Sequence, residues 1–221
     1  SLSEGWLSLA MFAVAGGAIV AMPTLGRWIQ RSGSHRAALY GAIGLGLILA
    51  LILLVPTFPF LLGILLLFGV TNAAFDVAMN AQAVTVETAL GKPIMSSLHG
   101  MFSLGGMLGA SFGAALLAAG LSALEHVLLL AALVMVSGVA AFFYLLPDHA
   151  ASHEQEADTH VSASRLVRML GWLALLGLIA EGAMYDWSVI YARDTAQMDA
   201  ASSSLAYAAF SGGMAAGRFG G

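Results

Sequence analysis

Cysteine is absent from the 221 residues. Disulfides, thiol chemistry and thiolate metal sites are therefore excluded. Charge is scarce: Lys, Arg, Asp and Glu make up 9% of the chain, against about 25% in a soluble domain. The balance of 8 basic and 12 acidic residues gives a net charge of −4, which offers no basic patch for nucleic acid. A single lysine, Lys92, is present. No basic segment precedes the first apolar run, so no signal peptide is read. The start at Ser1 and the abrupt stop at Gly221 are those expected of a piece of a longer protein.

What the chain does have is apolar surface. Hydrophobic residues are 60% of it and mean hydropathy is +0.90. Barrel strands would alternate polar and apolar residues over about 10 positions. Here the apolar runs are continuous for about 18 residues or more, the length of a spanning helix. The expected fold class is an all-α membrane protein. Seven spans are expected, at residues 6–25, 37–55, 58–87, 98–119, 127–146, 169–192 and 205–218, the last cut short. Pro56 ends the second.

The cations alternate with the spans. Arg27, Arg31 and Arg36 follow the first, Lys92 the third, Arg165 and Arg168 the fifth, and Arg218 the seventh; Arg193 alone falls in another loop. The positive-inside rule then places the chain start outside and its end in the cytoplasm. Trp6, Trp28 and Trp172 sit near span ends, where indoles anchor at the interface. Residues 147–164 are polar, with Pro, Ser and acids and no apolar periodicity. They read as a cytoplasmic linker. His149, His153 and His160 within it favour a solvated tract over a metal site. Gly105, Gly109 and Gly113 in the fourth span, and Gly213 and Gly217 in the seventh, recur every four residues. Such ridges are expected to let helices approach closely.

The third span is the unusual one. It carries Asn72, Asp76 and Asn80 at i, i+4 and i+8, one face of a helix. No Lys or Arg lies at the depth of Asp76, and desolvation penalises a bare carboxylate. An intramembrane acid is functional by default. Asp76 is expected to carry a coupling proton, set against a structural acid that pins helices together. In the sixth span Glu181 and Tyr185 share a face, while Asp186 is offset by about 140°. Glu181 is expected to line a cavity and bond a substrate, opposite Asn72, Asp76 and Asn80. Trp187 suits either ligand stacking or interfacial anchoring. His99 at the start of the fourth span is a cap residue or a proton relay. Gln82, Glu87 and Lys92 are expected to be solvated.

The segment Gly26-Arg27-Trp28-Ile29-Gln30-Arg31-Ser32-Gly33-Ser34-His35-Arg36 resembles the loop motif G-x-x-x-D-R-x-G-x-x-R of the major facilitator superfamily. Gly26, Arg31, Gly33 and Arg36 match; Gln30 replaces the family's Asp. Residues Ala216-Gly217-Arg218-Phe219 echo Leu25-Gly26-Arg27-Trp28, as expected of a fold with two related halves. The resemblance implies a helical bundle with about seven of twelve transmembrane helices present, numbered two to eight. Residues 1–146 would be helices two to six, 147–168 the central linker, and 169–221 helices seven and eight.

Asp76-Val77-Ala78-Met79-Asn80-Ala81 also resembles the E-T-A-A-N-P segment of fucose–proton symporter-like permeases, and His99 to Gly105 resembles their Q-S-F-N-S-L-G run. The resemblance implies a secondary transporter of a small sugar-like solute, proton-coupled, in a bacterial inner membrane. Proton coupling would fall to Asp76 and Glu181. Substrate binding would fall to Asn72, Asn80, His99, Tyr185 and Trp187. The conformational motif would be Gly26, Arg27, Arg31, Gly33, Arg36, Gly217 and Arg218. No cofactor, metal or nucleic acid is expected, and the full-length protein is expected to be a monomer.

Other classes of seven-span protein fit less well. A retinal protein needs a buried lysine, whereas Lys92 lies between Gly91 and Pro93. A receptor leaves the repeated Gly-Arg pair unexplained. An intramembrane serine protease needs a buried serine–histidine pair, and no G-x-S-G occurs. An enzyme is not expected. A drug or metabolite exporter of the same superfamily remains open, and behind it a membrane assembly protein.

Overall fold

A computed structural model describes residues 4–147 and 165–220. The expected linker, with His149, His153 and His160, lies outside the described residues except at its edges. Among the described residues there are seven α-helices and no strand: α1 (Glu4–Ser32), α2 (Ser34–Ile52), α3 (Phe58–Leu90), α4 (Met95–Ala118), α5 (Ala123–Phe142), α6 (Arg165–Asp194) and α7 (Ala200–Gly220). Each expected span is thus a helix. Six of them, α1 to α6, are long and apolar enough to cross a membrane. The serines and glycines of α7 keep it out of that set.

Several boundaries moved. α1 continues well past residue 25 to Ser32, through an internal Pro23. Leu25 and Ile29, one turn apart, are both buried: Leu25 packs with Ala73 and Ala74, and Ile29 with Ala37, Ala38 and Ala78. The packing face therefore outlasts the apolar run, and it holds the helix together among the arginines. Gly26 is consequently helical and open rather than part of a turn. The turn is made by Gly33 alone, at φ 83° and ψ 144°, a conformation that favours glycine. α3 likewise runs to Leu90 and ends on Gly91 in the left-handed region, its N–H bonded to the Glu87 carbonyl. α6 opens at Arg165, so residues 165–168 are helical.

The helices gather into two compact units. The first holds α1, α2, α3 and α5. Its buried core is built almost entirely of alanine, with Ala37, Ala42, Ala78 and Ala131 essentially inaccessible. Phe12, Val20 and Phe143 are turned outward. Lipid is as apolar as leucine, so large side chains gain little by going inside, and small ones let backbones approach. A Cβ on Gly17 of α1 would lie 2.0 Å from the Leu66 carbonyl oxygen of α3. One on Gly69 would lie 1.9 Å from that of Val14. α2 meets α3 where Gly41 abuts Phe75, and meets α5 where Gly46 abuts Ala131 and Met135.

The second unit holds α4, α6 and α7. Gly100 faces the Phe219 ring, Gly106 faces Ser211 and Tyr207, and Gly212 faces the Met107 sulfur. These are not the expected glycines. Of the expected glycines Gly113 is buried, but a Cβ on Gly105, Gly109, Gly213 or Gly217 would meet nothing within 4 Å. The crossing of α4 and α7 falls one residue away from the regular ridges, on a face that spacing alone does not select.

Candidate functional site

Within the first unit, the polar row of α3 lies opposite its alanine face. Ala73, Ala74 and Ala78 are buried, Asn72 and Asp76 are exposed, and Asn80 is half-buried. Asn80 Nδ2 donates to the Asp76 carbonyl at 2.9 Å and to Asp76 Oδ1 at 3.3 Å, as the i, i+4 spacing allows. Among the described residues Asp76 is in no ion pair. The row is thus a carboxylate flanked by two amides on an otherwise apolar helix. It can accept a proton and exchange hydrogen bonds with a polar solute.

Near the end of α3, Gln82 is a correction to the expectation. It is buried, not solvated: 4% is exposed. Its Nε2 donates to the Leu146 carbonyl at 2.7 Å and to Ser34 Oγ at 3.3 Å. The amide satisfies a carbonyl beyond the end of α5, where no helical donor remains. Glu87 is half-buried and accepts from the Ile94 N–H at 2.8 Å, so it fastens the turn after Gly91. Lys92 is exposed. Arg27, Arg31 and Arg36 are also exposed, around the Gly33 turn.

In the second unit, Glu181 does not stand open as a free cavity acid. Arg218 Nη2 lies 2.9 Å from Glu181 Oε1 and 3.0 Å from Oε2. The two side chains are 18% and 24% exposed. Arg218 is no loop cation: it belongs to the last turn of α7. Its Nη1 donates to Ser103 Oγ at 2.5 Å and reaches the His99 carbonyl at 3.4 Å. Ser96 Oγ in turn donates to the Arg218 carbonyl at 2.9 Å. The contribution of His99 here is its carbonyl, while its side chain is exposed.

Tyr185 packs its ring on Tyr207 at 4.9 Å and edge-on to Phe210 at 5.0 Å. Trp187 is 42% exposed. Gly217 is exposed and helical, and the echo of Gly26-Arg27 by Gly217-Arg218 is therefore an echo of helix ends, not of loops. Among the described residues no three His, Asp or Glu side chains gather to hold a metal ion. Sequence reasoning missed Tyr207 and the pairing of Arg218 with Glu181. The repeat had flagged Arg218, but no sequence signal points from one to the other across 37 residues.

The Major Facilitator Superfamily model matches residues 1–221, the whole chain. An uncharacterized MFS-type transporter of Yersinia pestis is 33% identical over 220 residues, covering 100% of this chain and 57% of the relative. The uncharacterized transporter y4wD of Sinorhizobium fredii is 34% identical over 200 residues, with 90% and 52% covered. Membrane protein MosC of Rhizobium meliloti is 31% identical over 222 residues, with 100% and 54% covered. The chain thus spans just over half the length of each of these relatives. No solved structure matches it significantly.

Proposed function

This chain belongs to the major facilitator superfamily, and we propose that it forms helices two to eight of a twelve-helix transporter moving a small, polar, sugar-like solute with a proton. It is a multi-pass membrane protein, and its relatives point to transport rather than catalysis. In this reading residues 1–146 belong to the first half, 147–168 link the halves, and 169–221 begin the second. The exposed cations around Gly33 and at the start of α6 support a cytoplasmic location for those ends, in a bacterial inner membrane.

The observation that carries the proposal is Asp76. It is an accessible acid on an apolar helix, contacted by the Asn80 amide and by no cation among the described residues. Such a group can be neutral while facing one side and release its proton while facing the other, which couples proton flow to alternating access. Asn72 and Asn80 present amides for solute hydroxyls along the same face. Tyr185 and Trp187, with Tyr207 beside Tyr185, offer aromatic surface to a sugar ring. Glu181, the second expected proton carrier, is bound through both carboxylate oxygens to Arg218. The likeness of the Asp76–Ala81 segment to fucose–proton symporter-like permeases supports the solute class.

The test uses the intact transporter in proteoliposomes. Asp76→Asn is expected to abolish uptake driven by a proton gradient while sparing counterflow of unlabelled for labelled sugar, which needs no net proton movement. Undiminished gradient-driven uptake in the variant would sink the coupling role. Absence of counterflow in the wild type would favour an exporter of some other solute.

A further inference from the structure

Residues 165–180 of α6 are exposed throughout, yet the helix is not alike all round. Glu181 and Tyr185 face α7, where they meet Arg218, Tyr207 and Phe210. On the other side of the helical wheel, centred on Trp172 about 180° from Glu181, runs a stripe of large residues. It holds Arg165, Arg168, Trp172, Leu175, Leu176 and Ile179. Elsewhere in the molecule helices meet through alanine and glycine and turn large side chains outward. By the same rule this stripe faces lipid and is not a seat for another helix.

The stripe is ordered along its length. Both arginines stand in the first turn, Trp172 follows at 67% exposure, and then come leucine and isoleucine. From Arg168 to Ile179 the helix rises about 16 Å, which is about half the hydrocarbon thickness of a bilayer. The stripe therefore has the depth of one monolayer and the polarity order of one phospholipid. A cleft of about 240 Å³ is cut into its polar end, lined by Arg168, Gly171, Trp172 and Leu175. Gly171 keeps it open, since a Cβ there would meet nothing within 4 Å.

We propose that this cleft binds an anionic phospholipid, with the phosphate in the fork of Arg168 and an acyl chain along Leu175, Leu176 and Ile179. The charge balance selects the headgroup. Two cations and the positive end of the helix dipole act on it, and no acid lies in the first turn of α6. The planar guanidinium matches two phosphate oxygens at once. A zwitterionic lipid brings its own cation towards the arginines and gains less. The site requires only that α6 crosses the membrane, for which it is long and apolar enough; it stands whatever solute is moved.

The test uses the intact transporter in phosphatidylcholine vesicles that contain rising fractions of a lipid brominated on its acyl chains. Bromine quenches tryptophan on contact. Each protein is compared with the same protein carrying Trp172→Phe, and the quenching lost in that pair reports this site. Brominated phosphatidylglycerol is expected to be preferred over brominated phosphatidylcholine by more than about fivefold. Arg168→Gln is expected to cut the preference about fivefold, the share of one cation near the surface, and Arg168→Lys to keep most of it. Gly171→Leu fills the cleft while leaving both arginines in place, and it is expected to lower the preference as Arg168→Gln does. An undiminished preference in Gly171→Leu would mean diffuse attraction to charge and overturns the site. Equal quenching by the two lipids overturns the choice of headgroup. Quenching of Trp172 by neither would mean that another part of the protein covers this face, and it too overturns the proposal. Loss of the preference in millimolar inorganic phosphate at constant ionic strength would mark a site for free anions and refute the lipid. Uptake and counterflow are read separately, so failure of the transport reading leaves the lipid preference unchanged.

Discussion

Replacing Gly17 with alanine adds one carbon where α1 crosses α3. That carbon would stand 2.0 Å from the Leu66 carbonyl oxygen and 2.9 Å from its carbon. An ordinary C···O approach is about 3.3 Å, so the helices must part by more than about 1 Å. The obstacle is backbone, and no rotamer change relieves it. A gap of about 1 Å forfeits up to half of the dispersion well for each atom pair it opens. It would open the cluster of Ala18, Ala21, Leu25, Val70, Ala73 and Ala74. Overpacking costs about 1–3 kcal/mol in general, and a backbone clash belongs at the upper end of that range.

The adjacent Gly16 is the control. A Cβ there meets nothing within 4 Å, and alanine gains up to about 1 kcal/mol of helix propensity over glycine. Neighbouring Gly→Ala substitutions should therefore differ by about 3–4 kcal/mol, in opposite directions. Unfolding of the purified protein in mixed micelles by titrated SDS, followed by helical circular dichroism, measures this difference. If Gly17→Ala and Gly16→Ala unfold at the same midpoint, the α1–α3 crossing is not where the structure places it.

Two further predictions concern polar groups. Gln82→Leu keeps the volume but leaves the Leu146 carbonyl without its 2.7 Å donor; it should lower stability by about 1–3 kcal/mol in the same titration, and an unaffected midpoint would mean that water replaces the amide. Asp199 caps α7: the Ser202 hydroxyl, first of all, and the Ser202 and Ala201 N–H groups hold its carboxyl below the usual range. With the folded value depressed, the cap's contribution is present above the ordinary aspartate value of about 3.9 and is lost as pH falls through the folded value. Hydrogen exchange at the Ala201 and Ser202 amides should then be slower in wild type than in Asp199→Ala at neutral pH. That difference should shrink below about pH 4 and close as pH falls through the lower folded value; a difference that widens in acid would refute the cap.

The likeness of Gly26 to Arg36 to the family's loop motif could be read from the sequence, yet its structural meaning could not. Only Gly33 turns the chain, because Leu25 and Ile29 extend the packing face of α1 through the arginines. The polar row Asn72, Asp76 and Asn80 was legible, because a helical period places i, i+4 and i+8 together whatever surrounds them. Gln82 was not: its burial depends on the ends of α2 and α5 closing over it, and an amide near a span end looks the same whether wet or covered. The glycine ridges, apart from the buried Gly113, failed for a related reason. Which of Gly105 and Gly106 touches α7 is set by the crossing of two helices, and one residue rotates the contact by about 100°.

The sequence by itself determined that this chain is a set of membrane helices, roughly where each one runs, and which family it belongs to. Those properties follow from hydropathy summed over about 20 residues and from local motifs, neither of which needs a neighbour. The tertiary structure alone decided the partners. Glu181 read as a free acid and is held by Arg218, and a cation assigned to a loop became a link between α4, α6 and α7. The physical reason is reach. A guanidinium on a long, flexible stem finds its carboxylate through space, a turn or more from its own backbone, and the periodicity of one helix carries no record of what stands opposite.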